Sequence, residues 1–524
     1  MILELLGTLA LFYLAWSMVM LEMNYRPAST IGIPLVRLYI DPQNVLWVIL
    51  EPIFWSWLDR LPVNWRNYNF GRYSRRGWPF ADRGESHRRY GPIWAIVTPR
   101  DIYVNVADSE AIHDIKMYSM SFVWDESVEQ ARQMLRLWES TADGRIPSVA
   151  KDTRTLSLNV LAATGFRKSF PFRSAKDHNP SPRLPTTLVD DRAIENESVG
   201  YRDALQTVLD NCILLMVLPR KWLTLPFVPQ SWHQIAKAAT DFQQYMVRML
   251  DEEIQALNTG STGSGGLMTS FVRAMDLKQK EDAQGNGGTS NSPPKGLTVD
   301  EIFGNIFVIN FAGHDTTANT MSFGLLLLVA YPEIQDWVAE ELQGLDEKDI
   351  KNHYADLFPR LSRCRAVMLE TLRLFPPILS LPKWTGDRKI VILPHVGVSP
   401  GLLDMQIHPQ HWDDSMTWKP SRWITKPASS GEGSEQIIVP QRCTYFPWSD
   451  GPQNCPGNKF SQVEFVAMMA TLLQGHRVDV VPNPNETPQQ AQARALATTH
   501  DVDLQLLLRM KDADQVRMVC RRVV

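Results

Sequence analysis

Cysteine is scarce. Only five (Cys212, Cys364, Cys443, Cys455 and Cys520) are scattered over 524 residues, which excludes a scaffold built on disulfides and fits a reducing compartment. Cys443 and Cys455 stand twelve residues apart with no second pair, so a structural zinc site is excluded as well. Charge of one sign is missing too: 53 Lys and Arg oppose 57 Asp and Glu, a net charge of −4. That balance leaves no electrostatic footprint for nucleic acid. Glycine and proline, 29 and 35 residues, stay near ordinary usage and exclude collagen-like or low-complexity chains. No internal repeat, glycine-rich dinucleotide fingerprint or flavin region stands out. Tryptophan, by contrast, is abundant. Its 17 copies point to large buried apolar surfaces or to a membrane interface.

Leu5 to Leu21 carries no charge and has Glu4 and Glu22 at its edges, a length at the short end of what spans a bilayer. A cleaved signal peptide and a buried core helix are the competing readings; against the first, no basic residue precedes the run and no small-residue cleavage site follows. Arg26 and Arg37 lie behind it and place the bulk of the chain on the cytosolic side. The expectation is an anchor over 1–24, a membrane-proximal linker over 25–59 and one domain over 60–524. Within the linker, Asn44 to Leu58 is apolar and Trp-rich but interrupted by Glu51 and Pro52, which reads as a pair of surface helices dipping into the interface.

Ile93 to Val97 and Ile102 to Val106 read as strands around a turn at Pro99 to Asp101. Val128, Ala131, Leu135 and Trp138 recur at helical spacing, as do Leu156, Val160, Leu161 and Thr164 after a break at Pro147. Loops are expected over 171–185, 258–266 and 284–296. Then Thr298 and Glu301 form a capping-box pattern, followed by an almost wholly apolar run from Ile302 to Tyr331 that stops at Pro332. Its length demands burial on most faces, and His314 and Asp315 in its middle argue against a membrane span. Gly313 costs such a helix about 1 kcal/mol relative to Ala, so some neighbour must benefit from the missing side chain. Thr316 can bond the carbonyl four residues back.

Phe446 to Gly457 reads FPWSDGPQNCPG, and helical periodicity resumes at Asn458. Cys455 just before Pro456 would face unpaired N–H groups and the positive end of a helix dipole, which lower a thiol's pKa. A buried structural cysteine is the alternative.

Trp448-x-x-Gly451-x-x-x-Cys455-x-Gly457 resembles the haem-binding loop of the cytochrome P450 family, in which Phe is usual where Trp448 stands. Glu370-Thr-Leu-Arg373 looks like that family's E-x-x-R motif. Trp418 to Trp423 looks like the segment supplying a second arginine, here Arg422, and Ala312-Gly-His-Asp-Thr-Thr317 is similar to the oxygen-activating motif of its central helix. The four occur in the expected order, with details resembling the membrane-bound fungal branch. The resemblance implies a mainly α fold with small β-sheets behind one N-terminal transmembrane helix in the endoplasmic reticulum. It also implies a monooxygenase acting on a lipophilic substrate, of the kind found in fungal secondary metabolism, with electrons from NADPH through a separate reductase. Cys455 would be the axial thiolate of haem iron. Gly451 and Gly457 would give the backbone room near the sulfur, Trp448 would shield it, and Lys383 would meet a haem carboxylate. Ala312 and Gly313 would leave space for dioxygen, with Thr316 and Asp315 organising proton delivery. Glu370, Arg373 and Arg422 would form a structural network. Ile309, Phe311, Ile378, Leu379 and Ser380 are the substrate-facing candidates, with an ordinary core strand as the alternative for 378–381.

One family element is not found. The usual W-x-x-x-R helix contacts a haem carboxylate, yet Trp94, Trp124 and Trp138 are followed four residues on by Thr98, Val128 and Ala142. The chain runs almost directly from Ile112-His-Asp-Ile115 into Phe122 to Glu126, as though a segment of a few dozen residues were missing near 115–122. The competing function is therefore a catalytically impaired relic or a membrane-tethered, non-enzymatic scaffold.

Overall fold

The computed structural model describes residues 2–29, 34–42, 44–75, 77–90, 93–100, 102–106, 120–166, 169–172, 204–259, 266–269, 271–272, 299–345, 350–351, 353–384, 397–426, 435–451, 454–504 and 507–523. The junction near 115–122 falls mostly outside them, as do Thr298 and the loops expected at 173–185 and 284–296.

Four helices form the centre. The apolar spacing of residues 124–165 becomes α3 (Met120–Ser140) and α4 (Val149–Phe166), with the break at Pro147 between them. In α3 the stripe Val128, Ala131, Leu135 and Trp138 is buried, as its period requires. The Trp138 indole donates to Asp152 Oδ2 at 2.9 Å and the Trp124 indole to the Ile350 carbonyl at 2.7 Å. Thus the two largest side chains of α3 are buried without orphaning their N–H groups. The long apolar run is α6 (Val299–Ala330), and the helix after the cysteine loop is α8 (Asn458–Leu473). Helix α4 packs along α6 and α3 along α8, while α7 (Ser362–Leu374) lies against both α6 and α8. Between α4 and α7 comes α5 (Gln230–Asn258).

Five short strands make the main sheet: β1 (Leu35–Arg37), β2 (Ile93–Val97), β3 (Ile102–Val106), β4 (Lys383–Trp384) and β5 (Gly397–Pro400), in the order β1-β2-β3-β5-β4. The predicted hairpin is the antiparallel β2–β3 pair, with Ile93 opposite Val106. At the C-terminus β6 (His476–Val480) pairs with β9 (Met518–Arg522), and β7 (Val502–Leu504) with β8 (Leu508–Met510). A helix of residues 488–500, α9, packs on α6.

Two N-terminal features differ from expectation. Residues 45–58 form one helix, α2 (Val45–Leu58), with Pro52 inside it rather than a broken pair. An internal proline costs about 3 kcal/mol. Trp47 and Trp55, on either side of it, are buried against Phe70, and burying such side chains stabilises by about 1.5–3 kcal/mol each. The first helix, α1 (Ile2–Ser29), docks its second half on the sheet. Ser17, Leu21 and Ala28 are buried, Ser17 donates to the Tyr39 carbonyl at 2.7 Å, and Asn24 to the Thr98 carbonyl at 3.0 Å. Tyr13, Trp16, Met18, Val19 and Met23 remain exposed. Among the described residues no helix is long and apolar enough to cross a membrane.

The helical core also holds an acid. Glu464 of α8 is fully buried, and neither carboxylate oxygen has a hydrogen-bond partner. Burial pushes its pKa up to about 8, against a weaker opposing pull from Ser157 of α4. The unfolded carboxyl ionises first as pH rises, so this group's contribution to stability falls between about pH 4.5 and about pH 8. Glu464→Gln should melt a few degrees above the wild type at pH 8 and lose that advantage near pH 5. Thermal unfolding at the two pH values checks this, and a pH-independent difference would reject it.

Candidate functional site

The cysteine turn is built from residues 444–457 leading into α8. Its tightest point is Gly451, at φ 97°, next to Ser449 at φ 62°. The first conformation is closed to residues with a Cβ. The Ser449 N–H donates to the Phe446 carbonyl at 2.9 Å, Asn454 to Gly451 at 3.0 Å, and Cys455 to Trp448 at 2.8 Å. Trp448 is half-buried, and its indole N–H donates to Ser461 Oγ of α8 at 3.0 Å. The turn is therefore stapled to the helix that follows it, and Gly457 caps that helix.

The Cys455 thiol is half-buried. Burial pushes its pKa up, while the backbone N–H of Gly457 pulls the other way. This reverses the expectation from the sequence, which counted donors and dipole but not the desolvation of the sulfur. An anionic sulfur at this site needs a cation as its partner, which is what iron supplies to a thiolate ligand. On α6, Val308 is 58% exposed and Ala312 is exposed, apolar positions at the end of an exposed stripe that begins with Glu301 and Asn305. A half-buried thiol held at the N-terminus of α8 and exposed apolar positions on α6 both suit a flat apolar metal complex. The described residues fit haem on these two counts.

Behind the turn lies a buried ionic network. The Arg373 guanidinium donates to both carboxylate oxygens of Glu370 at 2.8 Å, and both side chains are wholly buried. Arg422 reaches Glu370 Oε1 at 3.0 Å, the Trp423 indole reaches Oε2 at 2.9 Å, and the Lys419 N–H reaches Oε1 at 2.9 Å. The remaining Arg373 donors go to the carbonyls of Gln406, Ser415 and Thr417. Gln406 in turn accepts from the Phe446 N–H at 3.2 Å, and Tyr445 donates to the Leu369 carbonyl at 3.0 Å. The cysteine turn is thereby tied to α7. Gln406 and Tyr445 had no signal in the sequence beyond their proximity to the motifs, and Trp423 was marked only as the end of the segment that supplies Arg422.

On α6 the motif residues separate. Thr316 donates to the Ala312 carbonyl at 2.8 Å. Asp315 turns away, with Oδ1 2.9 Å from Arg154 Nε of α4 and 3.3 Å from His314 Nε2. His314 is fully buried, and burial lowers its pKa. Gly313 faces α4: a Cβ there would sit 2.9 Å from Leu161 Cδ2, so the missing side chain lets the two helices approach. Phe311, Asp315 and Asn319 line a cavity of about 530 Å³ together with Arg154, residues 209–214, Val217, Leu218, Leu507 and Arg509. Sequence reasoning missed Arg154, Asp210 and Arg509, which belong to no motif.

The other substrate candidates lie elsewhere. Ile309 borders a void of about 10 Å³ beside Leu161 and Met268. Leu379 is buried in the main core, Ile378 is half-buried, and Ser380 hydrogen-bonds Ser399 of β5. Residues 378–381 are not a strand. Lys383 pairs with Val398 at the sheet edge, and its side chain lies outside the described residues.

A family model described as cytochrome P450 matches residues 124–506. A cytochrome P450 monooxygenase of Arthrobotrys oligospora is 24% identical, over 96% of this chain and 95% of its own. Another, from Penicillium rubens, is 23% identical over 90% of each chain. The phomenoic acid biosynthesis cluster cytochrome P450 monooxygenase of Leptosphaeria maculans is 24% identical over 89% of this chain and 90% of its own.

Removing the carboxylate at the centre of the network strands two guanidiniums, which costs about 3–5 kcal/mol in a buried pair. Glu370→Ala should therefore yield little folded protein, with Glu370→Gln intermediate. A Glu370→Ala variant melting within a degree of the wild type would show that the network carries no stability.

Proposed function

The chain belongs to the cytochrome P450 family, and we propose that it is a haem-thiolate monooxygenase that places one atom of O₂ in a lipophilic organic substrate. Electrons would come from NADPH through a separate reductase, in fungal secondary metabolism. The observation that carries this reading is Cys455, a half-buried thiol on a turn anchored through Trp448 to α8 and through Tyr445 to α7.

Cys455 would hold the haem, with Trp448 beside the sulfur and Ala312 of α6 among the residues it would meet. The haem supplies the reduction of dioxygen and the transfer of one oxygen atom to substrate; the second oxygen leaves as water, with two electrons and two protons consumed. The chain's own contribution is position and proton supply. Thr316, whose hydroxyl donates to the Ala312 carbonyl, would hold water at a helix surface otherwise apolar. Asp315, kept beside Arg154, would stand at the edge of the cavity and relay protons from solvent. The packed walls of α4 and α6 would exclude bulk water.

Residues 1–24 would anchor the protein in the endoplasmic reticulum membrane through the first half of α1, the second half docking on the sheet at Ser17, Leu21 and Asn24, ahead of a linker over 25–59 and a cytosolic catalytic domain over 60–524. The exposed Trp16, Met18 and Val19 of α1 support an apolar surround, and the exposed Leu50, Ile53 and Trp57 of α2 provide a second contact.

Two experiments test this reading. The reduced carbon monoxide spectrum of the full-length protein should be that of a thiolate-ligated haem and should disappear in Cys455→Ala. Thr316→Ala should keep the spectrum but release more hydrogen peroxide per NADPH. Absence of haem from the wild type would favour the tethered scaffold. Deleting residues 1–24 should move the protein from the membrane pellet toward the soluble fraction; an unchanged distribution would assign membrane binding to α2.

A further inference from the structure

Three polar residues follow one another on α6, and the proposed reaction uses only the last two, Asp315 and Thr316. His314 is fully buried, where both nitrogens of an imidazole are normally answered. Nδ1 lies 3.0 Å from the Asn310 carbonyl one turn back. A carbonyl oxygen can only accept, so the hydrogen of the neutral ring sits on Nδ1 and Nε2 is left with a bare lone pair. Nε2 stands 3.3 Å from Asp315 Oδ1, which is another acceptor. Among the described residues neither atom has a hydrogen-bond partner. Arg154 Nε, 2.9 Å from the same oxygen, supplies charge without an aligned hydrogen bond. A histidine serving only to fill the α4–α6 interface would keep a bare Nε2 among apolar side chains. Here that nitrogen is set against an oxygen, and one proton on Nε2, with a small turn of Asp315, would answer both atoms at once.

We infer that His314 is the positioning residue of Asp315: a proton on Nε2 grips the Asp315 side chain, and loss of that proton releases it for the relay. The inference rests on the reading of Asp315 as the group that relays protons to the reaction. A hydrogen bond from an imidazolium is about twice as strong as one between neutral groups, so a gripped Asp315 keeps Oδ1 occupied and passes protons slowly. The neutral ring has no hydrogen to offer at Nε2 and leaves that oxygen to Arg154. The switching proton comes from solvent and returns to it, and only an N–H bond forms or breaks. The surroundings set which state prevails. Burial lowers the ring's pKa, Asp315 and the Asn310 carbonyl each raise it less, and Arg154 adds to the lowering while Asp210 opposes it. Cys212, within reach of Asp315, has its thiol pKa raised chiefly by burial. The neutral, releasing ring is therefore the resting form, and the gripping form gains as pH falls below the ordinary 6.5.

Two variants of the full-length protein separate the states. His314→Gln places an amide N–H donor near Nε2 and mimics the gripping ring at every pH, whereas His314→Phe keeps the shape and has no donor. Hydrogen peroxide released per NADPH is measured with the reductase at about pH 7.5 and about pH 5.5, either side of the histidine range. The wild type should release at least about twofold more at the lower pH, as the ring charges. His314→Phe should stay at the wild type's higher-pH level throughout, and His314→Gln at or above its lower-pH level. A wild-type ratio that ignores pH, or a pH profile that survives in both variants, overturns the inference. Thermal melts establish that each variant is folded, and His314→Leu replaces His314→Phe if the latter is not. A second readout needs no turnover: nitrogen-15 NMR of ring-labelled histidine in the reduced carbon monoxide complex, the His314 signal being the one that His314→Phe or His314→Leu lacks. It should show hydrogen on Nδ1 and a bare Nε2 at the higher pH, and hydrogen on both at the lower. Hydrogen on Nε2 at the higher pH, or a ring still neutral at the lower, overturns the inference as well. The expected ring states in a protein that as purified shows no thiolate spectrum would reject the monooxygenase reading and leave the grip of His314 on Asp315 standing.

Discussion

A carboxylate with no access to water must have its charge answered on every side, and Glu370 meets that demand with Arg373, Arg422, the Trp423 indole and the Lys419 N–H. Burying one such ion alone costs several kcal/mol, so the arrangement exists only if all its partners arrive together. Those partners come from α7 and from the segment up to residue 423, and the spare donors of Arg373 clamp the carbonyls of 406, 415 and 417. A long stretch without regular helix or strand is thereby held rigid from within. The cysteine turn leans on it through Gln406 and Tyr445. Cys455 is placed, at one remove, by an ion cluster that it does not touch.

The central helix solves a different problem. It must run through the core while carrying polar residues, and it does so by returning most of them to its own backbone. Asn310 donates to Ile306, Thr316 to Ala312, and Thr320 to Thr316, each at 2.8 Å. What the helix cannot satisfy alone is Asp315, which takes its partner from α4. The same helix interface explains Gly313, whose missing Cβ admits Leu161. A single turn of α6 thus presents an apolar surface at Ala312, a hydroxyl at Thr316 and a charge pair facing the cavity. The separation of these functions around one helix is a consequence of its 3.6-residue period.

Much of this was legible from residue order. The β2–β3 hairpin and the α3–α4 break fell where alternation and helical spacing placed them, because burial on one face forces those periods. The Glu370–Arg373 pair was legible as a motif, but its burial was not: three-residue spacing alone equally describes a weak surface pair. Pro52 argued for a broken helix, and packing of Trp47 and Trp55 on Phe70 overrode it. The Cys455 thiol was expected low and is pushed up, since a sequence displays donors but not the water that folding removes. Ile309 and Leu379 were read as facing substrate, and the structure directs them to helix packing and core.

The order of residues by itself determined the β2–β3 hairpin, the helices α3, α4 and α6, the turn at Gly451, the candidate ligand at Cys455 and membership in a family. Each of these depends on local conformational preference or on a short pattern of side chains. Only the tertiary structure decided which charges pair. Arg154, Asp210 and Asp315 are far apart in sequence yet share one cluster, and Arg509, paired with Asp503, lines the same cavity. Whether a charge is answered depends on distances across the fold and on the water excluded around it, and neither is encoded at any single position.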